Sequence, residues 1–229
     1  AKLKSVSITP DLAENDLFKT QNWEEMLLAF TPQIPEPDIE GTAGEAASTA
    51  DPLTLKMQLA GLIEQLNNGE KNQRIPLLKQ IEKALEADPD LAFWLIGQIE
   101  QQGMTGATDA WLVHLLERTG SPQAQEALVM VMDDPYFRTW NRIRAIVALG
   151  GVENPTEEAI ASLVNITQNR DDADAEDMAN AALMALGSIG KTLMESDPQQ
   201  ADLIRGELIA TLDETRDVSE TGMVLKAME

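Results

Sequence analysis

The sequence predicts an all-α protein built from stacked pairs of helices, preceded by an irregular N-terminal extension. Three observations carry that expectation. The tripeptide Ala148-Leu149-Gly150 recurs as Ala185-Leu186-Gly187, and a shorter echo, Ala227-Met228, closes the chain, at spacings of 37 and 42 residues. Self-similarity at a period of this length marks an array of structural repeats. A capping residue followed by proline recurs at Asp51-Pro52, Asp88-Pro89, Ser121-Pro122, Asp134-Pro135, Asn154-Pro155 and Asp197-Pro198. The side-chain oxygen accepts from an orphan amide, and proline at the first helical position forfeits no hydrogen bond, so each pair reads as a helix start. Composition agrees: aromatic residues make up only 4% of the chain, and alanine is abundant. Small side chains let helices approach closely and favour helix-on-helix packing.

Taken in order, residues 1–30 form the extension. Lys4, Val6 and Ile8 alternate with Ser5 and Ser7, a weak strand signal, and a short amphipathic helix follows with Trp23, Met26, Leu27 and Phe30 on one face. Residues 31–51 read as a flexible linker. Prolines stand at 32, 35 and 37, and the stretch from Gly41 to Ala50 has almost no large apolar side chain, so burial cannot offset the entropy of ordering it.

From residue 52 to 229 the apolar residues return at helical spacing. Leu55, Leu59, Leu62, Ile63 and Leu66 share one face, as do Ile75, Leu78, Ile81 and Leu85. Leu91, Leu95 and Ile99 come next, then Trp111, Leu112, Leu115 and Leu116, then Ala124, Ala127, Leu128 and Val131. Trp140, Ile143 and Val147 pair with Ile160, Leu163 and Val164. Met178, Ala181, Ala182, Ala185 and Ile189 pair with Leu203, Ile204 and Leu212, and a last helix starts near Val218. The later pairs are expected to begin near residues 105, 136, 173 and 218. In the Ala-Leu-Gly motif, alanine admits the adjacent layer, leucine fills the core, and glycine ends the helix where a positive φ is useful.

The run Arg142-Ile143-Arg144-Ala145-Ile146-Val147-Ala148-Leu149-Gly150, a turn at Asn154-Pro155 and a return helix over 156–167 resembles a HEAT-type repeat. Asn180–Gly190 looks like the first helix of the next unit. The resemblance covers about residues 105–229 and is weaker over 51–104. It implies a right-handed α-α superhelix of HEAT-like antiparallel helix pairs. A narrower likeness links the alanine- and leucine-rich layers, with the terminal Val224-Leu225-Lys226-Ala227-Met228, to the helical N-terminal region of vitellogenin-type lipid-transfer proteins. In that family the helices wrap a lipid-binding sheet cavity, so the likeness implies a lipid-carrying role. The β-rich domain that precedes those helices has no counterpart here beyond residues 1–8.

Charge limits the function classes. Seventeen Lys and Arg against 39 Asp and Glu leave a net charge of −22. Such a field repels a phosphate backbone and anionic lipid surfaces, so a nucleic-acid partner is not expected. No run approaches the roughly 18 apolar residues of a membrane span, so direct membrane insertion is not expected either. The chain has no cysteine, which excludes disulfides, thiolate metal sites and cysteine nucleophiles. It begins at Ala1 and stops at Glu229 in mid-pattern, which reads as a fragment whose C-terminal edge is an interface.

No catalytic, cofactor or metal residue stands out. His114, the single histidine, lies in an apolar helical segment and has no second histidine to complete a zinc site. The acidic run at 171–177 lacks the spaced ligands and central glycine of a calcium loop, and reads instead as a solvated loop feeding carboxylates into a helix N-terminus. Asp133-Asp134, Asp213-Glu214 and Glu24-Glu25 offer no pair at a recognisable catalytic separation. Gly190-Lys191-Thr192 lacks the upstream glycine and the preceding strand of a phosphate loop. Asn165-Ile166-Thr167 matches a glycosylation sequon on a helix. The aromatic and basic stretch from Tyr136 to Arg144 reads as core contacts by Trp140 and Ile143, with Arg138, Arg142 and Arg144 bridging to acidic loops of adjacent layers. The expected function is a non-catalytic scaffold for a protein partner or for another domain of the same longer chain, with a lipid-binding helical layer as the alternative. A repeat-fold enzyme or a cation-dependent adhesion module are more distant rivals.

Overall fold

A computed structural model of the chain describes residues 52–69, 71–101, 103–169 and 173–214. The expected extension (1–30), linker (31–51) and final helix near Val218 lie outside the described residues. Within them the chain is entirely helical, with no strand. The helices are α1 (Pro52–Asn68), α2 (Lys71–Ala87), α3 (Leu91–Ile96), α4 (Gly106–Thr119), α5 (Pro122–Asp133), α6 (Thr139–Gly150), α7 (Glu157–Thr167), α8 (Ala173–Ser196) and α9 (Pro198–Glu214).

Local chemistry accounts for most of these boundaries. Ser121 caps α5 by accepting from the Ala124 amide at 3.1 Å, with Pro122 in its first turn. Asp197 does the same for α9 through the Gln200 amide. Thr105 and Thr156 cap α4 and α7, the latter making Thr156 rather than the Asn154-Pro155 pair the cap. Asp134-Pro135 also departs from the expected helix start. Asp134 closes α5, and its side chain accepts from the Tyr136 amide in the turn that leads to α6. Gly120 ends α4 at φ +59°, a left-handed conformation that favours glycine, so a two-residue connection reverses the chain between α4 and α5.

Packing follows a regular order. Most helices pack on their neighbour in sequence, and α2, α4, α6 and α8 touch in succession, as do α3, α5 and α7; α6 and α7, expected to pair, instead both pack chiefly on α8 and α5. The members α4, α6 and α8 begin at residues 106, 139 and 173, where the sequence predicts the first helices of pairs. One continuous apolar core runs from Leu59 in α1 to Leu208 in α9. The predicted faces bury in full over α5 and α8, and over α1 and α2 except at Leu55, Leu62 and Ile75, which are half-buried. In α9 the face is different: Ala201, Ile204 and Leu208 are buried, whereas Leu203 points outward at 72% exposure. The expected helix over 91–99 stops at Ile96. Ile99 is still buried, but in a turn after Gly97.

The two Ala-Leu-Gly copies meet. A Cβ added to Gly150 would stand 2.8 Å from the Cα and 2.9 Å from the Cβ of Ala185. Gly150 therefore serves as the contact point of α6 on α8. It ends α6 without a positive φ, and Gly187 lies inside α8 rather than at a helix end, so the expected role of these glycines in termination is corrected. Their function is to let two backbones approach.

Candidate functional site

The most ordered polar feature is a buried seam that joins the first turns of successive helices. Asp109 of α4 and Asn141 of α6 are both almost fully buried. Asn141 donates through Nδ2 to Glu100 Oε1 at 2.9 Å and to Asp109 Oδ2 at 3.2 Å. Asp109 Oδ1 in turn accepts from the Glu100 amide at 3.1 Å. That bond holds Glu100 at φ +62°, a left-handed conformation costly for a residue with a side chain. Such strain persists only where the surroundings over-determine it. Here the Glu100 carboxylate also takes the Arg138 amide at 2.6 Å and faces the Arg138 guanidinium at 3.6 Å.

Two further groups extend the seam. Asn67, at the end of α1, donates to the Gly103 carbonyl and accepts from the Thr105 amide and the Thr108 hydroxyl. Toward α8, the Thr139 hydroxyl donates to Asp174 at 2.7 Å. Arg144 donates to the Gly106 carbonyl and to Asn141 Oδ1, with its guanidinium 5.2 Å from the centre of the Trp140 ring. Burial pulls the Arg144 pKa down to about 10, opposed by the nearby Asp109 carboxylate. A second clamp sits at the other helix ends. Gln125 is buried, donates to the Gly120 and Asn154 carbonyls, and accepts from the Thr156 amide.

The basic stretch over 136–144 behaves partly as its sequence suggests. Ile143 is buried, and Trp140 is half-buried beneath Arg144. Arg138 reaches an acidic side chain of the preceding layer, Glu100. Arg142 instead donates to the Met132 carbonyl at the end of α5, and Arg144 to the Gly106 carbonyl at the start of α4. Helix-end carbonyls, as well as carboxylates, are thus the partners. Tyr136 projects outward at 76% exposure, while Phe137 is buried and meets its ring edge-on.

His114 Nδ1 lies 2.8 Å from Glu117 Oε2, one turn along α4, and its ring sits edge-on to Trp111. The other Glu117 oxygen abuts Gly151, where a Cβ would collide with it. Glu117 thereby ties α4 to the turn after α6. It also lines a polar cavity of about 350 Å³ with Arg118, Glu153 and Asn154. Among the described residues, no three histidine or carboxylate side chains gather as a metal site. Gly190-Lys191-Thr192 is inside α8, where the Thr192 hydroxyl donates to the Ser188 carbonyl, so its amides serve the helix rather than a phosphate. In the sequon, Asn165 is exposed but Thr167 is buried and bonded to the Val164 carbonyl. Glu24 and Glu25 lie outside the described residues.

The acidic run places Asp174 and Glu176 in the first turn of α8, where the helix dipole favours them. Asp177 pays for its position: burial first, then the Glu176 and Asp174 charges, raise its pKa above the ordinary 3.8. A carboxyl with a raised folded-state pKa binds its proton more readily folded than unfolded. Its effect on stability is therefore most favourable at low pH and is lost as pH rises through the folded value. Asp177→Asn is expected to raise the melting temperature at pH 7, with the gain shrinking toward zero below pH 3.8. Thermal melts of both proteins across pH 3–7 check this, and a gain independent of pH would refute it.

The seam escaped sequence reasoning because Asp109, Asn141 and Gln125 are single polar residues in amphipathic segments. The nearest available signal was their place one turn inside a helix start, repeated in α4 and α6. Together the seam and the shared core define, among the described residues, an all-α protein whose helices are joined by buried polar clamps. No helix among the described residues is long and apolar enough to cross a membrane. No protein-family model matches the chain, and no curated protein matches it significantly.

Proposed function

We propose that this chain is a non-catalytic scaffold, a HEAT-like right-handed α-α superhelix whose exposed helix faces engage a protein partner or another domain of the same longer chain. The observation that carries this reading is the succession of contacts α2–α4–α6–α8 beside α3–α5–α7, two rows of the kind stacked helical layers form. The prominent polar groups support it. Glu100, Asp109, Asn141 and Gln125 spend their hydrogen bonds on joining layers, and His114 is engaged by Glu117. The net charge of −22 steers a basic partner toward the surface.

The lipid-layer alternative is less favoured. The apolar groove between α8 and α9 holds about 150 Å³, against roughly 300 Å³ or more for typical small-molecule sites. The larger cavity, beside Glu117, is polar. Fluorescence anisotropy with labelled oligolysine and oligoglutamate probes tests the steering. Oligolysine should bind selectively and weaken as salt rises from about 50 to 500 mM, because the Debye length contracts. Equal affinity for both probes would sink the basic-partner reading. Stoichiometric lipid in a solvent extract of the purified chain would favour the alternative.

A further inference from the structure

We propose that the polar cavity where α4 and α6 end is the seat for a lysine or arginine side chain of the basic partner. The inference rests on the basic-partner reading and deepens it, by giving a diffuse negative field one point of contact. Helix α4 ends at Thr119 and α6 at Gly150. Thr119, Gly120 and Gly151 all line the same cavity of about 350 Å³, ample for one side chain. Two helix C-termini therefore open on one space. Each carries roughly half a negative charge, which favours a cation there. The last carbonyls of a helix are also natural acceptors for a basic side chain.

The side chains add full charges of the same sign. Glu117 is 22% exposed and is held on both sides. Its Oε2 lies 2.8 Å from His114 Nδ1, and its Oε1 lies against Gly151, where the lack of a Cβ makes room for it. The contact with His114 takes up one of the roughly four positions at which a carboxylate accepts. Glu153 stands at the exposed rim, with no ion-pair partner among the described residues. Arg118 is the cavity's own cation, but its Nε donates to Glu82 of α2 at 2.9 Å, which balances its charge. A metal ion would need more side-chain ligands, and among the described residues no three histidines or carboxylates gather. An ammonium or guanidinium group brings several N–H donors of its own, to match carboxylates and carbonyls spread around a polar wall.

Labelled oligolysine is the probe, used at about 150 mM salt so that exposed charges are screened beyond about 8 Å. By fluorescence anisotropy, the double variant Glu117→Gln/Glu153→Gln should bind it at least about tenfold more weakly, the scale of a lost charged hydrogen bond. Glu64→Gln/Glu176→Gln removes the same charge from exposed positions in α1 and α8 outside the cavity. It should weaken binding by less than about threefold. Amide NMR of the unaltered chain should place the largest oligolysine-induced shifts at Gly120, Gly151 and Val152. Equal losses in the two double variants overturn the seat, as do shifts spread evenly over the acidic surface, and either result leaves the basic-partner reading standing as diffuse steering. Equal affinity for oligolysine and oligoglutamate sinks that reading, and the seat with it. If the cavity double variant does not fold, Glu153→Gln at the exposed rim decides alone: its loss should exceed that of Glu64→Gln, and parity overturns the proposal.

Discussion

Replacing Gly150 with alanine is expected to destabilise the protein by about 2 kcal/mol, the usual cost of forcing an extra methyl into a filled core. In most helices the same change is favourable, since alanine loses less backbone entropy on folding than glycine. Here the new Cβ would stand 2.8 Å from the Cα of Ala185, and backbone cannot swing aside as the end of a flexible side chain can. The whole α6–α8 contact must widen. Gly61 and Gly206 provide the contrast, because a Cβ at either meets nothing within 4 Å. Gly61→Ala and Gly206→Ala should each stabilise by about 0.5–1 kcal/mol. Thermal or urea unfolding of the three variants reads the difference, at roughly 2–4 °C of melting temperature per kcal/mol for a chain of this size. Ala185→Gly should recover part of the loss in the Gly150→Ala background, as two residues in direct contact couple. Stabilisation by all three alanines would show that the helices do not touch at Gly150.

Asp109→Ala should cost about 3 kcal/mol, because it strands buried donors rather than merely removing a bond. The Glu100 amide loses its acceptor, Asn141 loses one of two, and Arg144 loses the carboxylate that offsets its burial. The turn at Glu100, held at φ +62°, also loses a restraint. Its amides and those around Gly103 should exchange faster in the variant than those of α8. Asp109→Asn keeps one accepting oxygen but turns an NH2 toward the Asn141 NH2, so an intermediate loss is expected. Asp90→Ala supplies the baseline. Asp90 is exposed and its side chain makes no cap bond, so a change within about 0.5 kcal/mol is expected there. If Asp109→Ala were as mild as Asp90→Ala, the seam would contribute nothing to holding the layers together.

By itself the sequence determined the all-helical class, the faces of α5 and α8 and most of those of α1 and α2, the caps at Ser121 and Asp197, and, to within a turn, where α4, α6 and α8 begin. These follow from side-chain periodicity and short-range capping, interactions completed within one or two helical turns. Only the tertiary structure decided what the Ala-Leu-Gly glycines are for. A terminating glycine and a contact glycine look alike in sequence, and they differ in what lies across from them: nothing at a helix end, Ala185 at Gly150. The same holds for the outward turn of Leu203, the early stop of α3 at Ile96 and the seam of Glu100, Asp109 and Asn141. Each depends on a partner in another element, from Glu100 and Asp109 nine residues apart to Glu100 and Asn141 forty-one apart. A polar residue becomes a buried clamp only when a second helix places its matching donor within about 3 Å.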